Sequence, residues 1–159
     1  GIIGWKNSGK TGLMERLVEE YCCRGLTVST IKHAHHSFDV DQPGRDSYRH
    51  RAAGAQQVLL TSRNRYVLMH ELRGADEPSL HELLSKLAPV DLVLIEGFKG
   101  TAHSKVEVVR AATKRPLLAL KNRTIKAIAS DTPLSLQRPV FDLNDTAVIA
   151  DFILAEVGL

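Results

Sequence analysis

The residues nearest the start of the chain have the types and spacing of a phosphate-binding loop. The run from Gly4 to Thr11, Gly-Trp-Lys-Asn-Ser-Gly-Lys-Thr, matches the Walker A pattern G-x-x-x-x-G-K-[ST] in full. Glycines let such a loop curl around phosphate oxygens, so that backbone N–H groups and the positive end of the next helix face the anion. We expect Lys10 to reach the β- and γ-phosphates of a nucleotide. The predicted phosphate-binding residues are Gly4, Lys6, Asn7, Ser8, Gly9, Lys10, Thr11 and Gly12.

Two residues could hold a magnesium ion beside those phosphates. The Thr11 hydroxyl is an oxygen donor of the kind that Mg²⁺ prefers. Asp91 to Glu96 is a near-continuous apolar run between two acids, which is typical of a Walker B strand that delivers an acid to the edge of a parallel sheet. Glu96 would then hold Mg²⁺ directly or through water. The alternatives are a helix cap for Thr11 and an ordinary strand end for Glu96, but the Walker A motif favours the metal role.

The segment from Lys32 to Ser47 concentrates histidines, acids and bases in one loop. Such a loop favours an anionic substrate, a metal ion or both, and a solvated surface loop is the alternative. A structural zinc site is disfavoured because the loop lacks cysteine and the usual ligand spacing. Asp39 and Asp41 are the preferred candidates for Mg²⁺. The predicted anion-binding residues are Lys32, His33, His35, His36 and Arg45.

The base of the nucleotide is harder to assign. The guanine-reading Asn-Lys-x-Asp motif is absent, and Ser130-Asp131 is the nearest substitute. A carboxylate at Asp131 could accept hydrogen bonds from the N1 and N2 donors of guanine, although an aspartate just before Pro133 is equally an ordinary turn residue. Both interpretations stay open.

The surrounding pattern predicts alternating strands and helices that would position these groups. A strand precedes the loop, and a parallel strand should follow the first helix through a right-handed crossover. The sequence therefore predicts an α/β fold of the P-loop NTPase type, three-layered αβα with a mostly parallel or mixed sheet, in a single domain over residues 1–159. A possible β-hairpin lobe spans 57–74. The predicted helices are Lys10–Arg24, Arg45–Ala53, one from Pro78 through Leu87, and Asp145–Val157 capped by Asp142 or Asn144; the predicted strands are Thr27–Lys32, Gln57–Thr61, Tyr66–Leu72, Asp91–Glu96, Val106–Val109, Leu117–Leu120 and Ala127–Ala129.

Composition narrows the class of protein further. The chain is 43% hydrophobic and 25% charged, and no apolar run approaches the roughly 20 residues of a membrane span. A net charge of +3 gives no reason to expect nucleic acid or an anionic membrane as partner. The two cysteines, Cys22 and Cys23, are adjacent, which favours a reduced, cytoplasmic setting over a disulfide framework. Gly1-Ile2-Ile3 is typical of the tail of a buried strand, so we expect the strand to start further upstream.

These motifs together resemble the MobB family of molybdopterin-guanine dinucleotide biosynthesis adapter proteins. The residues that carry the resemblance are Gly4 to Thr11, Thr30-Ile31-Lys32-His33, His35-His36, Phe38-Asp39-Val40-Asp41, Pro43-Gly44-Arg45-Asp46-Ser47, Ala53-Gly54-Ala55, Ile95-Glu96-Gly97-Phe98-Lys99 and Ala129-Ser130-Asp131. The His-rich Asp-x-Asp-x-Pro-Gly loop and the Glu-Gly-Phe-Lys run are the specific part. Arg45 stands where the family commonly has lysine, which keeps the charge but changes its geometry.

The resemblance implies a GTP-binding protein, at most a weak GTPase, that uses Mg²⁺ and assists the MobA nucleotidyltransferase, which attaches GMP to molybdopterin. It also implies a homodimer with a mixed sheet and a protruding β lobe. It gives the phosphate role to Lys6 to Thr11, the acid role to Glu96, and a pterin-phosphate or Mg²⁺ role to the loop from His33 to Asp46; direct binding of molybdopterin stays open. Two alternatives are a small-molecule kinase of P-loop fold and a metal-delivery GTPase that uses His33, His35 and His36.

Overall fold

The computed structural model describes residues 1–34 and 38–159. These residues divide into two compact units, which we call the sheet unit (residues 1–33 and 85–159) and the hairpin unit (the described residues of 34–84). The elements in chain order are β1 Ile2–Gly4, α1 Lys10–Cys23, β2 Val28–Lys32, α2 Asp46–Ala52, β3 Gln57–Thr61, β4 Tyr66–His70, α3 Leu80–Leu84, β5 Leu92–Glu96, β6 Lys105–Val109, β7 Ile125–Ser130, β8 Val140–Asp142 and α4 Thr146–Val157. The single-domain assignment stays a prediction.

The sheet unit is built on six strands in the order β2-β5-β1-β6-β7-β8. All adjacent strands run parallel, with Ile2 of β1 opposite Glu96 of β5 on one side and Val106 of β6 on the other. A central parallel strand is covered on both faces, which explains why β1 is wholly buried and wholly apolar apart from Gly4. The predicted mostly parallel α/β fold is confirmed.

Helices α1 and α4 cover one face of this sheet. Leu13, Met14, Leu17 and Tyr21 recur at helical spacing on α1 and are buried there against strand residues such as Leu94 and Val106. The Tyr21 hydroxyl donates to the Ala150 carbonyl of α4 at 3.1 Å, which satisfies the one polar atom of that buried ring. A second cluster on Ile3, Ile125 and Ile128 belongs to the other face. Within the described residues, no helix combines the length and apolar character needed to cross a membrane.

The segment Leu117–Leu120 is not a strand, contrary to the sequence prediction. Leu118–Leu120 forms a 3₁₀ helix, and the backbone N–H groups of Leu118 and Ala119 each donate to the carboxylate of Glu107 at 2.8 Å. Glu107 lies on β6 and is completely buried. A buried carboxylate must be hydrogen-bonded, and two N–H groups pointing at one acid are compatible with a tight turn but not with a strand ladder.

Three further elements, β8, α4 and α3, differ from the sequence prediction. Strand β8 was missed, and it extends the sheet by pairing Ala129 with Phe141. Helix α4 is capped by Asp145, whose carboxylate accepts from the Val148 N–H at 3.3 Å, whereas Asp142 accepts from the Asn144 N–H in the preceding turn. Helix α3 is one short turn, Leu80–Leu84, rather than a helix from Pro78 to Leu87.

The hairpin unit contains the predicted antiparallel pair. Strands β3 and β4 pair from Gln57 opposite His70 to Thr61 opposite Tyr66, and the Ser62 N–H donates to the Arg65 carbonyl across the turn. The pair forms a sheet of its own, so the six-stranded sheet is not mixed. Helix α2 contributes Arg51, whose guanidinium bonds the carboxylates of Asp39, Asp41 and Glu71. We call this group the Arg51 cluster.

Candidate nucleotide site

The loop between β1 and α1 has the backbone shape of an anion cradle. Asn7 has φ 64° and Gly9 has φ 96°, so two loop residues occupy the left-handed region that turns successive N–H groups toward one point. Helix α1 starts at Lys10 directly behind the loop, without a side chain capping its first turn. The backbone N–H groups of that turn are left for a ligand, as in phosphate-binding helix starts.

The inside of the loop is closed around a buried hydroxyl. A Cβ placed on Gly4, at φ 155°, would lie 2.5 Å from the Val108 carbonyl oxygen and 2.6 Å from the Ser8 hydroxyl. The Ser8 side chain is 1% exposed, and its hydroxyl has no hydrogen-bond partner among the described residues. A buried polar atom without a partner costs free energy unless a ligand or water satisfies it. The cradle therefore fits a hydrogen-bonding group such as a phosphate.

Lys10 lies over this loop. Its ammonium donates to the Trp5 carbonyl at 2.7 Å, which uses one of three N–H donors. Partial burial lowers the pKa of Lys10 below its ordinary value; Glu96 opposes this shift, and Lys99 and Lys32 add to it. A phosphate in the cradle would stabilise the charged ammonium, so the environment of Lys10 is suited to an anion.

The structure brings Lys32, His33 and Glu96 together at the carboxyl ends of β2 and β5. Lys32 is paired with Glu96 in the parallel register, and its ammonium lies 3.4 Å from the Glu96 carboxylate. The His33 N–H donates to the Glu96 carbonyl at 2.9 Å, and the His33 ring stacks on Phe98 with centroids 4.6 Å apart. A Cβ at Gly97 would approach the His33 Cβ to 3.0 Å, which favours glycine at this crossing.

The predicted magnesium residues fall into two groups. Thr11 is exposed in the first turn of α1, where it does not act as the helix cap, and Glu96 is mostly buried at the sheet edge. Both belong to the sheet unit, and their oxygen atoms suit Mg²⁺, which binds one or two protein oxygens together with substrate phosphates. Asp39 and Asp41 belong to the hairpin unit and are held by Arg51 there. In the described part of the chain, no group of three or more His, Cys, Asp or Glu residues could hold a metal ion.

The remaining loop residues are placed as follows. The Asp39 carboxylate accepts two bonds from Arg51 at 2.9 Å, and Asp41 accepts from Arg51 and from the Ser47 hydroxyl. The hydrogen bond from Arg51 lowers the pKa of Asp39 below its ordinary value. Arg45 is exposed just before α2. His35 and His36 lie outside the described residues.

Arg110 follows β6 and Asp131 follows β7, and both strands lie on the opposite side of β1 from β5 in the sheet. Asp131 follows β7, and its carboxylate accepts from the Ala111 N–H at 2.9 Å, which fixes the loop after β6. Arg110 was not predicted. A Cβ at Gly9 would lie 2.9 Å from its Nε atom, so the guanidinium rests on the phosphate loop. Arg110 has no carboxylate partner among the ion pairs of the described residues, and no local motif marks it.

A glycine-rich cradle between the first strand of a parallel sheet and the helix behind it defines a P-loop protein of the NTPase fold. The acid at the end of the neighbouring strand completes that arrangement. Residues 1–131 match the family described as Molybdopterin guanine dinucleotide synthesis protein B, MobB, and the chain belongs to this family. The resemblance seen in the motifs is thereby confirmed.

Individual relatives are similar to this chain over nearly its whole length. The chain is 40% identical over 156 residues to the molybdopterin-guanine dinucleotide biosynthesis adapter protein of Escherichia coli (strain K12), covering 96% of this chain and 89% of that protein. The corresponding protein of Haemophilus influenzae is 38% identical, with 96% and 85% covered. The crystal structure of a MobB protein homolog from Bacillus stearothermophilus is similar with a TM-score of 0.73 at 29% identity, covering 99% of this chain and 95% of that one. Bacillus subtilis MobB gives a TM-score of 0.75 at 26% identity, with 98% and 94% covered.

Proposed function

We propose that this protein binds GTP with Mg²⁺ and acts as an adapter for a MobA-type nucleotidyltransferase in molybdopterin guanine dinucleotide biosynthesis. Membership of the MobB family and the names of the two bacterial relatives support the pathway. The observation that carries nucleotide binding is the cradle, in which the buried Ser8 hydroxyl is unsatisfied and a Cβ at Gly4 would meet it at 2.6 Å. Two exposed free cysteines support a cytoplasmic setting.

Different residues of the sheet unit bind the phosphates and the magnesium ion of the nucleotide. Loop N–H groups from Lys6 to Thr11 and the Lys10 ammonium bind the phosphates, and the Thr11 hydroxyl and Glu96 carboxylate hold Mg²⁺. When bound, Mg²⁺ neutralises negative charge on the phosphate oxygens. Lys32, 3.4 Å from Glu96, adds a positive charge at the same edge. Rapid hydrolysis also requires an oriented water molecule, so turnover by the isolated protein should be slow.

Nucleotide binding is tested by calorimetric titration with GTP and ATP in the presence of Mg²⁺. GTP should bind more tightly than ATP, and Lys10→Ala should weaken GTP binding by about tenfold to a hundredfold, since it removes a charged hydrogen bond worth roughly 1.5–3 kcal/mol. Lys126→Ala, a change at an exposed lysine of β7, is the matched control and should leave the affinity unchanged. Equal affinities for the two nucleotides would contradict the guanine assignment.

A separate variant tests whether Asp131 binds the guanine base. Asp131→Asn keeps the shape of the side chain but replaces one acceptor by a donor. If the Asp131 carboxylate accepts from guanine, this change should remove the preference for GTP and leave ATP binding intact. If both nucleotides lose affinity together, Asp131 acts through the loop that it fixes at Ala111.

The adapter role is tested by capture of the purified nucleotidyltransferase. The immobilised protein should retain a MobA-type enzyme, and retention should differ between GTP-loaded and nucleotide-free samples. Lys10→Ala should behave like the nucleotide-free sample in both conditions. Retention of the enzyme at the same level by wild type and variant, with or without GTP, would show that the nucleotide does not control the partnership.

We also infer that the protein is a homodimer joined through the hairpin unit. Leu59, Leu68 and Tyr66 on β3 and β4 are 59%, 50% and 73% exposed. In the described residues each of these strands pairs along one edge only, and open apolar edges favour strand addition by a second copy. Light scattering should give a dimer mass, which Leu59→Lys should reduce to a monomer. Leu120→Lys, at a leucine 70% exposed in the sheet unit, should remain dimeric.

A further inference from the structure

A cavity of about 390 Å³ lies beside Trp5 of the phosphate loop. Its lining is partly apolar and partly polar or charged: Ile3, Trp5, Pro116, Leu117 and Leu118 on the one hand, and Lys99, Lys121 and Asn122 on the other. Its volume falls within the range of roughly 300–1,000 Å³ that is usual for small-molecule sites. None of the residues assigned to the nucleotide above is among these eight.

The apolar walls of the cavity are fixed. Ile3 is fully buried in the core cluster with Ile125 and Ile128, so it supports the cavity wall from the core and does not itself contact a ligand. The Trp5 indole donates from Nε1 to the Pro116 carbonyl at 2.8 Å, which sets the orientation of the ring. The Arg115 guanidinium carbon lies 5.5 Å from the centroid of that ring, so the indole carries a cation and the aliphatic side chains of Leu117 and Leu118 provide the apolar surface beside it.

The polar part of the cavity is positively charged. The Lys99 ammonium lies 5.0 Å from the centroid of the Trp5 ring, and Lys121 adds a second ammonium. No acidic residue lines the cavity within the described chain, and neither lysine takes part in an ion pair there. Two ammonium groups that no carboxylate of the described residues neutralises, next to an apolar pocket, attract a ligand that is negatively charged.

We propose that this cavity is a second ligand site, which binds an organic anion built from a flat ring system and a phosphate-like group. The ring packs against Leu117 and Leu118 beside the Trp5 indole, and Lys99 and Lys121 bind the anionic group. Trp5 directly follows Gly4 of the phosphate loop, and Lys99 follows Glu96 by three residues. A ligand that shifts Trp5 would shift the phosphate loop with it, and any change in nucleotide affinity would be matched by an equal change in affinity here; this coupling rests on the proposed function.

The chain has one tryptophan, so its indole N–H gives one signal in a ¹H–¹⁵N correlation spectrum, and that signal reports on the cavity. The probe is 1-naphthyl phosphate, which combines two fused rings with a phosphate group. It should shift the Trp5 signal saturably, whereas 1-naphthol and inorganic phosphate, each carrying half of the recognised features, should bind at least about tenfold more weakly. Equal binding of 1-naphthol would overturn the proposal, because the lysines would then contribute nothing.

Variants and competition locate the bound probe. Lys99→Gln and Lys121→Gln should each weaken it about tenfold by removing one charged contact, while Lys126→Gln should not. As GTP is added in the presence of Mg²⁺, the apparent dissociation constant of 1-naphthyl phosphate should reach a plateau once the phosphate loop is saturated. A constant that instead grows in proportion to GTP would place the probe in the phosphate loop and refute a separate site. If GTP itself does not bind while the probe does, the proposed nucleotide function fails and the cavity site stands.

Discussion

Gly4 should be the least replaceable glycine of the phosphate loop. A Cβ at this position would lie 2.5 Å from the Val108 carbonyl oxygen, which belongs to the backbone of β6 and is held by strand pairing. The overlap can be relieved only by moving a central strand, and overpacking of this kind costs about 1–3 kcal/mol. The positive φ of 155° adds about 1–2 kcal/mol. Gly4→Ala should therefore lower the free energy of unfolding by about 2–5 kcal/mol.

Two other glycines provide matched comparisons for the same substitution. At Gly25, with φ 84°, a Cβ would meet no atom within 4 Å, so Gly25→Ala should show the conformational cost alone. At Gly9, with φ 96°, the obstacle is the flexible Arg110 side chain, which can rotate away. Gly9→Ala should thus resemble Gly25→Ala in stability but bind nucleotide more weakly. Urea unfolding followed by far-ultraviolet circular dichroism measures all three. Equal losses at Gly4 and Gly25 would refute the steric argument.

Three further predictions concern charged groups. Arg110→Ala should weaken the binding of both GTP and GDP by about tenfold, measured by calorimetry, because the Arg110 guanidinium rests on Gly9 of the phosphate loop. The control Arg123→Ala, at an exposed arginine, should leave both affinities unchanged. Arg51→Ala should lower the stability of the hairpin unit, seen as faster hydrogen exchange of β3 and β4, because it leaves the nearly buried Asp41 carboxylate without its cation. The Asp39–Arg51 pair should stabilise the protein fully above pH 3.8, the ordinary pKa of Asp39, and this stabilisation should be lost as the pH falls through the lower pKa that Asp39 has in the folded protein. A carboxyl NMR titration should show the pKa of Asp39 rising toward 3.8 in Arg51→Ala.

The loop conformation that is typical of a phosphate site could be predicted because the residues that determine it are neighbours in the sequence. From Gly4 to Thr11, positive φ falls on Gly4, Gly9 and Asn7, and Lys10 begins the helix; these features do not depend on distant residues. Glu96 could be placed because an apolar run ends there, and parallel pairing brings the end of β5 next to β1. Lys32 and His33 arrive at the same edge through pairing of β2 with β5.

Features that depend on distant partners could not be predicted in this way. The hydrophobic run at Leu117–Leu120 looks like a strand, but its conformation is decided by a buried acid ten residues earlier, Glu107. Strand β8 has three residues and gains its stability only from pairing with β7. Arg110 is an exposed arginine after a strand, and its position against Gly9 follows from the order of strands in the sheet.

The strand order sets when the two units can form during synthesis. Strand β1 pairs with β5 and β6, and strand β2 pairs with β5, so Ile2 has no partner strand until Glu96 is synthesised and Val28 has none until Leu92 is synthesised. The hairpin β3–β4 closes across four residues and can form in roughly microseconds, whereas parallel pairing across long separations is slow. On the ribosome, the strand segments at 2–4 and 28–32 therefore stay unpaired until β5 has emerged. This is the interval in which a nascent chain would depend most on chaperones.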